Sequence, residues 1–321
     1  MGKPPFTLTL DILNLMGEIE KTIGALFVDQ LGRPSVLLRK QNKIKTVQHS
    51  LAIEGNQLST EQITAILENK RVLGPQKQIL EVQNALEVYE QLESFNPMAE
   101  KDFLRAHSVL MRGLLASAGR YRTNAVGIFK GEKISHIAPQ AKMLPALMKD
   151  LFAFLKEERQ VPWAIKACVF HYELEFIHPL EDGNGRMGRL WQQLILMKHS
   201  PVFEYLSIES LIHQKQNSYY KVLEECDRKG DSTAFIVFML GLILQALKEF
   251  KKAFRPDKLT GAGRVQRALE EFKSKSFSRK DYLELFRDIS TATASRDLAS
   301  AVEEGIIERK GEKALALYRR A

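Results

Sequence analysis

Cysteine is scarce: Cys168 and Cys226 are the only two in 321 residues. Two thiols set up neither a disulfide framework nor the soft-ligand cluster of a structural zinc or iron–sulfur site, and a reducing, cytoplasmic compartment is the expectation. Long apolar runs are also missing. The longest, Ala234 to Leu244, falls far short of the roughly 20 residues that cross a bilayer, and it reads as a helix buried on all sides. Met1 to Glu20 lacks the charged, apolar and small-residue stretches of a secretory signal, and Phe6 stands where a myristoylation motif requires Ser or Thr. No membrane partner is expected. There is no G-x-x-x-x-G-K-[ST] stretch, which excludes a P-loop. His171-x-Glu173 lacks the P-C-x-x-C that a zinc deaminase would need.

What is present is ordinary for a globular chain: 45% hydrophobic and 27% charged residues, with a net charge of +8. The basic excess suits an anionic ligand without naming one. Most of the sequence has helical periodicity. Ile44, Val47 and Leu51 recur on one face and stop at Gly55, a natural C-terminal residue. Ser59 with Gln62 forms a capping-box pattern ahead of Ile63, Ile66 and Leu67. Further helices are expected over Gln76 to Leu92, Pro97 to Leu115 and Leu144 to Glu157, and from Pro162 through Phe176. The interruption at Asn124 to Ile137, centred on Lys130-Gly131-Glu132-Lys133, predicts a short β-hairpin.

The stretch that carries chemistry is His178-Pro179-Leu180-Glu181-Asp182-Gly183-Asn184-Gly185-Arg186-Met187-Gly188-Arg189. Pro179 ends the preceding helix. Gly183 and Gly185 permit a tight turn whose N–H groups converge on the start of the next helix, which makes an anion site. Arg186 and Arg189 oppose the helix dipole in its first turn unless a polyphosphate offsets that penalty. Asp182 beside such an anion requires a hard divalent cation, with Mg²⁺ the natural choice. His178 has the pKa range to take a proton from a hydroxyl. Together these residues describe nucleotidyl or phosphoryl transfer. Each has a plainer reading: a helix-capping histidine, a glycine turn, solvated arginines. Their coincidence within twelve residues favours the chemical one. The spacing Gly183-x-Gly185-x-x-Gly188 matches the dinucleotide fingerprint by letters, but a helix precedes it where that fingerprint requires a strand.

His178 to Arg189 resembles the H-P-F-x-[DE]-G-N-G-R-x-x-R motif of the Fic family, departing from it only at Leu180. The resemblance extends over roughly residues 36 to 250. It implies a mainly α fold: a Fic-type helical bundle with a short β-hairpin flap over 123–139. The implied activity is transfer of AMP from ATP, with Mg²⁺, to a Ser, Thr or Tyr hydroxyl of a target protein or of the chain itself. In that reading His178 is the general base and Asp182 holds Mg²⁺. Gly183, Asn184, Gly185, Arg186 and Arg189 hold the phosphates, and Tyr219 and Asp227 lie near the nucleoside. Ile134, Ser135 and His136 of the flap pair with the target segment as an added strand. The family often forms dimers, so a homodimer is a candidate state.

Ser50-Leu51-Ala52-Ile53-Glu54-Gly55 resembles the family's inhibitory motif. Glu54 falls in the last turn of its helix, where the dipole disfavours a carboxylate. Pairing with Arg189 would occupy the γ-phosphate position, and Ser50, one turn earlier, would anchor the helix. The expected organisation is an N-terminal helical region over 1–95 with its inhibitory helix at 36–55, a Fic core over 96–254, and a separate module over 258–321. That module, after Arg255-Pro256-Asp257 and Gly261-Ala262-Gly263 as linker, predicts three helices and a hairpin around Lys310-Gly311, a winged helix-turn-helix. It holds 14 basic and 10 acidic side chains, so DNA is a candidate partner. Two rival functions follow from the same residues: a DNA-binding regulator whose Fic-like domain senses nucleotide, and an enzyme that removes AMP, with Glu54 positioning a water.

Overall fold

A computed structural model describes residues 4–29, 36–124, 127–130, 133–253, 260–273, 275–286, 289–311 and 316–321. The described chain falls into two compact units, one drawing on residues 4–26 and 36–253 and the other on residues 260–321.

The larger unit is helical. Its elements in chain order are α1 (Leu10–Asp29), α2 (Val36–Ile53), α3 (Thr60–Leu67), α4 (Gln76–Glu90) and α5 (Glu100–Leu110), then the strands β1 (Gly127–Lys130) and β2 (Lys133–Ile137). There follow α6 (Leu144–Glu157), α7 (Trp163–Ile177), α8 (Asn184–His199), α9 (Ile208–Gln214), α10 (Gln216–Lys229) and α11 (Thr233–Ala253). One hydrophobic core runs from Ile12 to Phe250, so the expected N-terminal region and the expected catalytic core share their interior. α7 and α8 lie side by side at its centre. Phe103 of α5 meets the Trp191 ring edge-on, with centroids 5.3 Å apart, an arrangement that adds to the burial of both rings.

Local chemistry explains where elements start and stop. Ser59 and Gln62 make the expected capping box at the head of α3. The expected helix Pro97 to Leu115 is shorter, because the Asn84 amide donates to the carbonyls of Leu110 (3.2 Å) and Arg112 (2.8 Å) and ends α5 there. The helix expected to be buried on all sides, α11, instead buries one stripe, including Phe235, Met239, Ile243 and Leu247, and leaves Val237 and Leu244 partly exposed. By length and composition alone α11 could cross a membrane. α7 and α8 are the helices buried nearly all round.

The hairpin is present as an antiparallel β1–β2 pair, with a register shift that leaves Ser135 opposite no partner residue. Its turn, Gly131 and Glu132, and the side chains of Ile134, Ser135 and His136 lie outside the described residues.

The smaller unit contains α12 (Gly261–Phe272), β3 (Phe277–Ser278), α13 (Arg279–Leu285), α14 (Thr291–Glu303), β4 (Ile307–Lys310) and β5 (Leu317–Arg320), with sheet order β3-β5-β4. Its own core gathers Val265, Leu269, Phe277, Tyr282, Leu298 and Ile307. Gly261 and Gly263, expected as linker, form the first turn of α12, because the Thr260 hydroxyl accepts the Gly263 N–H and caps the helix. Residues 255–257 of the expected linker lie outside the described residues.

Candidate active site

The turn between α7 and α8 carries His178 to Gly183. His178 caps α7 in the left-handed region, with φ 49° and ψ 55°, a conformation that costs a non-glycine residue energy and persists only when its surroundings hold it. Its ring Nδ1 lies 3.4 Å from the Glu175 carbonyl. A carbonyl only accepts, so Nδ1 is the donor in that contact.

Asn184 was expected, with Gly183 and Gly185, to help cradle the phosphates. Its side-chain amide braces the turn: the Leu180 N–H donates to Asn184 Oδ1 and Asn184 Nδ2 donates to the Leu180 carbonyl, both at 2.9 Å. What Asn184 offers an anion is its backbone N–H in the first turn of α8. Leu180, the one departure from the family motif, is fully buried. Gly183 precedes α8 with φ 87°, and a Cβ there would approach Met111 Sδ to 3.2 Å. Here glycine is needed both for conformation and for space.

His107 of α5 holds this turn from behind. The Gly119 N–H donates to its Nδ1 (2.9 Å), so its Nε2 carries the proton and donates to the Asp182 carbonyl (3.0 Å). Burial pushes His107 down to about 4, which keeps the neutral ring that these two bonds require.

The charged groups sort into two pairs. Asp182 Oδ1 accepts from the Gly183 N–H (2.6 Å) and from Arg186 Nη2 (3.0 Å). Arg186 is buried, and its Nε has no hydrogen-bond partner among the described residues. Arg189, with its side chain 1% exposed, donates from Nη2 to Glu54 Oε1 (2.7 Å) and to the Ser50 carbonyl (3.0 Å), and from Nε to Ser50 Oγ (3.2 Å). Burial opposes its charge, but Glu54 and Tyr219 hold it protonated above its usual value. Glu54 lies across the head of α8: a Cβ on Gly185 would come within 2.6 Å of Glu54 Oε1 and 3.1 Å of Arg189 Nη1. The two arginines, equivalent by spacing, therefore have different partners.

Beneath Arg189 runs a buried polar chain. His171 Nδ1 donates to Gln192 Oε1, which leaves His171 Nε2 to accept from the Tyr219 hydroxyl at 3.0 Å. Tyr219 Oη also lies 3.3 Å from Glu175 Oε1. The one phenolic proton thus has two acceptors within reach, the His171 imidazole nitrogen and the Glu175 carboxyl oxygen. Burial first, and then the nearby Glu54 charge, push Glu175 up to about 7 against the opposing pull of Arg189, while burial pushes His171 down to about 3. Tyr219, expected near a nucleoside, is buried in this chain. Asp227 accepts from the Tyr172 hydroxyl at 3.0 Å, and its charge, like the Tyr219 hydroxyl, acts on Glu175.

Arg122 ties the hairpin to the motif. Its guanidinium is buried and, among the described residues, donates to backbone carbonyls only: His178 (2.7 Å), Asn124 (2.6 Å), Pro139 (2.6 Å) and Ile177 (3.4 Å). Sequence reasoning passes over Arg122, His107 and Glu175. His107 had a signal, a polar residue on the apolar face that holds Phe103, Ala106 and Leu110. Arg122 had none, because its partners are backbone atoms.

Among the described residues no group of three His, Cys, Asp or Glu side chains is placed to hold a metal. Mg²⁺ does not need one, since one or two carboxylates with substrate phosphates and water suffice. Asp182, with its side chain 57% exposed, provides such a carboxylate. The unpartnered Arg186 Nε and the free first-turn N–H groups suit the phosphates.

Similarity to known proteins agrees with this geometry. The Fic/DOC family model matches residues 97–196. A solved Fic family protein from Desulfovibrio desulfuricans G20 is 40% identical, with a TM-score of 0.74, over 100% of this chain and 98% of that one. Protein adenylyltransferase Fic of Nematostella vectensis is 32% identical over 216 residues, 62% of this chain and 47% of that protein. Protein adenylyltransferase fic-1 of Caenorhabditis elegans is 33% identical over 164 residues, 47% of this chain and 31% of that protein. The chain thus spans less than half the length of these two curated relatives. The motif, the fold and the match along the whole of the solved bacterial relative place this chain in the Fic family.

Proposed function

We propose that the larger unit transfers AMP from ATP to a hydroxyl side chain of a target protein, and that Glu54 restrains it. The observation that carries this reading is the 2.7 Å pair between Glu54 and Arg189 over Gly185. A carboxylate there takes the place a terminal phosphate would occupy, at a helix N-terminus beside a buried guanidinium. The names of the curated relatives support the same chemistry.

In this reading His178 Nε2 accepts the proton as the hydroxyl oxygen bonds to the α-phosphorus and the bond to pyrophosphate breaks. Arg186 and the amides of Asn184 and Gly185 stabilise the phosphate oxygens, joined by the Gly183 amide once Asp182 releases it, and Asp182 would hold Mg²⁺. When bound, that ion neutralises charge developing on the pyrophosphate. The hairpin offers backbone pairing to the target segment.

The test uses ATP labelled at the α-phosphate. A charge-assisted hydrogen bond contributes about 1.5–3 kcal/mol, so Glu54→Gly is expected to raise self-labelling roughly ten- to a hundredfold. His178→Ala in that background is expected to lose at least about 100-fold while still binding ATP. Labelling equal to the parent in the first variant removes the restraint, and undiminished labelling in the second means another base.

For the smaller unit, we propose a winged helix-turn-helix with α14 as the reading helix. Its first turn is capped by Ser290 and carries Thr291 and Thr293, with Arg296 exposed one turn later. Arg279 of α13 donates to Ser295 on the same helix at 3.0 Å. Retention of duplex DNA that falls steeply with added salt supports this, since phosphate contacts release counterions. No retention at low salt rejects it.

A further inference from the structure

Arg122 is the unusual residue of this site. It is buried, 4% exposed, and none of the described carboxylates pairs with it; burial lowers its pKa from the usual arginine value. A guanidinium held this way satisfies its donors on carbonyl oxygens alone, and those carbonyls identify its task. Asn124 and Pro139 stand on either side of the β1–β2 hairpin, so the fork closes the base of the flap. Ile177 and His178 are the last residue and the cap of α7, the negative end of that helix dipole. The Arg122 backbone N–H donates to the Pro179 carbonyl at 3.0 Å, which adds a third point on the motif.

Resting on the transfer reading above, we propose that Arg122 is a positioning residue that fixes His178 relative to the hydroxyl presented on the flap. The argument is geometric. His178 sits in a strained left-handed conformation with φ 49°, so its ring direction depends on what holds its carbonyl, and Arg122 Nε holds it at 2.7 Å. The same planar group holds both ends of the segment that would carry the acceptor strand. A base and an acceptor hydroxyl brought together by separate elements need one rigid body spanning both, and a flat fork with five N–H donors provides it. Lysine carries the same charge but concentrates its three donors on one nitrogen, so it cannot span the flap base and the helix end together.

The experiment places Arg122→Lys in the full chain with Glu54→Gly and reads three quantities. Backbone hydrogen exchange in β1 and β2 is expected to accelerate. Turnover of label transfer is expected to fall on the order of 100-fold, the cost of a reacting group displaced by about an ångström. Nucleotide affinity by calorimetry is expected to stay at the parental value, because the phosphate-binding amides are untouched. Parental turnover, unchanged exchange, or affinity lost in step with turnover would each overturn the proposal, the last by showing general collapse of the motif. If Glu54→Gly alone transfers no AMP, the transfer reading fails while hairpin exchange still tests the clamp. Should the lysine variant not fold, exchange in the parent decides. Peptides over 121–124, 138–140 and 174–178 are expected to open as one cooperative unit, and a hairpin base opening separately from the end of α7 would refute the clamp.

Discussion

At the scale of the residue, three histidines with the same intrinsic chemistry do different work because their surroundings differ. His178 stands at the end of a helix with Nδ1 turned to the Glu175 carbonyl. His107 and His171 are locked neutral by burial and by hydrogen bonds that need one protonated and one bare nitrogen. His107 has a measurable consequence. Its folded pKa of about 4 lies below the unfolded value of 6.5, so below pH 6.5 the unfolded chain takes up a proton that the folded chain refuses. Stability from this group is complete above pH 6.5 and declines as pH falls toward 4, by about 3 kcal/mol in all. Denaturant unfolding of His107→Gln is expected to show a lower stability at neutral pH and a flatter decline over that window. A decline as steep as the parent's would mean that His107 is protonated in the folded protein.

At the scale of the element, α2 behaves as a removable part. It ends at Ile53, whose carbonyl accepts from Gln216 Nε2 of α10 at 3.1 Å, and Ser50 and Glu54 meet Arg189 from its last turn and just beyond. Glu54 is 37% exposed, so water screens its pairing, and a carboxylate at a helix C-terminus is disfavoured by the dipole. Glu54→Gly is therefore expected to cost no more than about 2 kcal/mol in thermal or denaturant unfolding, even while it changes activity. Arg189 keeps its bonds to Ser50. A loss large enough to unfold the chain at room temperature would show that the pair serves the core. The α7–α8 pair is the opposite case: its helices are buried almost all round, and a Cβ on Gly188 would meet His171 Cδ2 at 2.7 Å, so its packing leaves no slack.

At the scale of the whole molecule, two separate cores share one chain. One is built on α7 and α8; the other gathers Phe277, Tyr282 and Leu298 and is braced by Arg264 Nε on Asp297 Oδ2 at 2.6 Å. Each unit buries its own apolar surface, and cooperativity follows shared cores. Calorimetry of the full chain is expected to resolve two transitions, with the larger one retained when residues 260–321 are removed. A single transition, or loss of the larger one on truncation, would show that the units fold as one.

The sequence by itself determined the things that depend on near neighbours. Helical periodicity, the capping box at Ser59, the turn chemistry of Gly183 and the twelve-residue motif are all local, and all were legible; Gly185, expected in the turn, lies in the first turn of α8. Legible too was the acidic residue at the end of α2, because its position against the dipole is a property of the helix alone. Tertiary structure decided which groups meet. Arg186 meets Asp182 four residues away within the motif, whereas Arg189 meets Glu54 on a distant helix, a partner that the family resemblance suggested and no local spacing fixes. The Asn184 side chain braces the turn, a role no spacing announces, because its amide reaches Leu180 only once the loop is closed. Arg122 was invisible because it binds carbonyl oxygens, which every residue carries and no side-chain pattern marks. Burial, which set the pKa values of His107, His171 and Glu175, is likewise a property of the packed interior and not of any short stretch of chain.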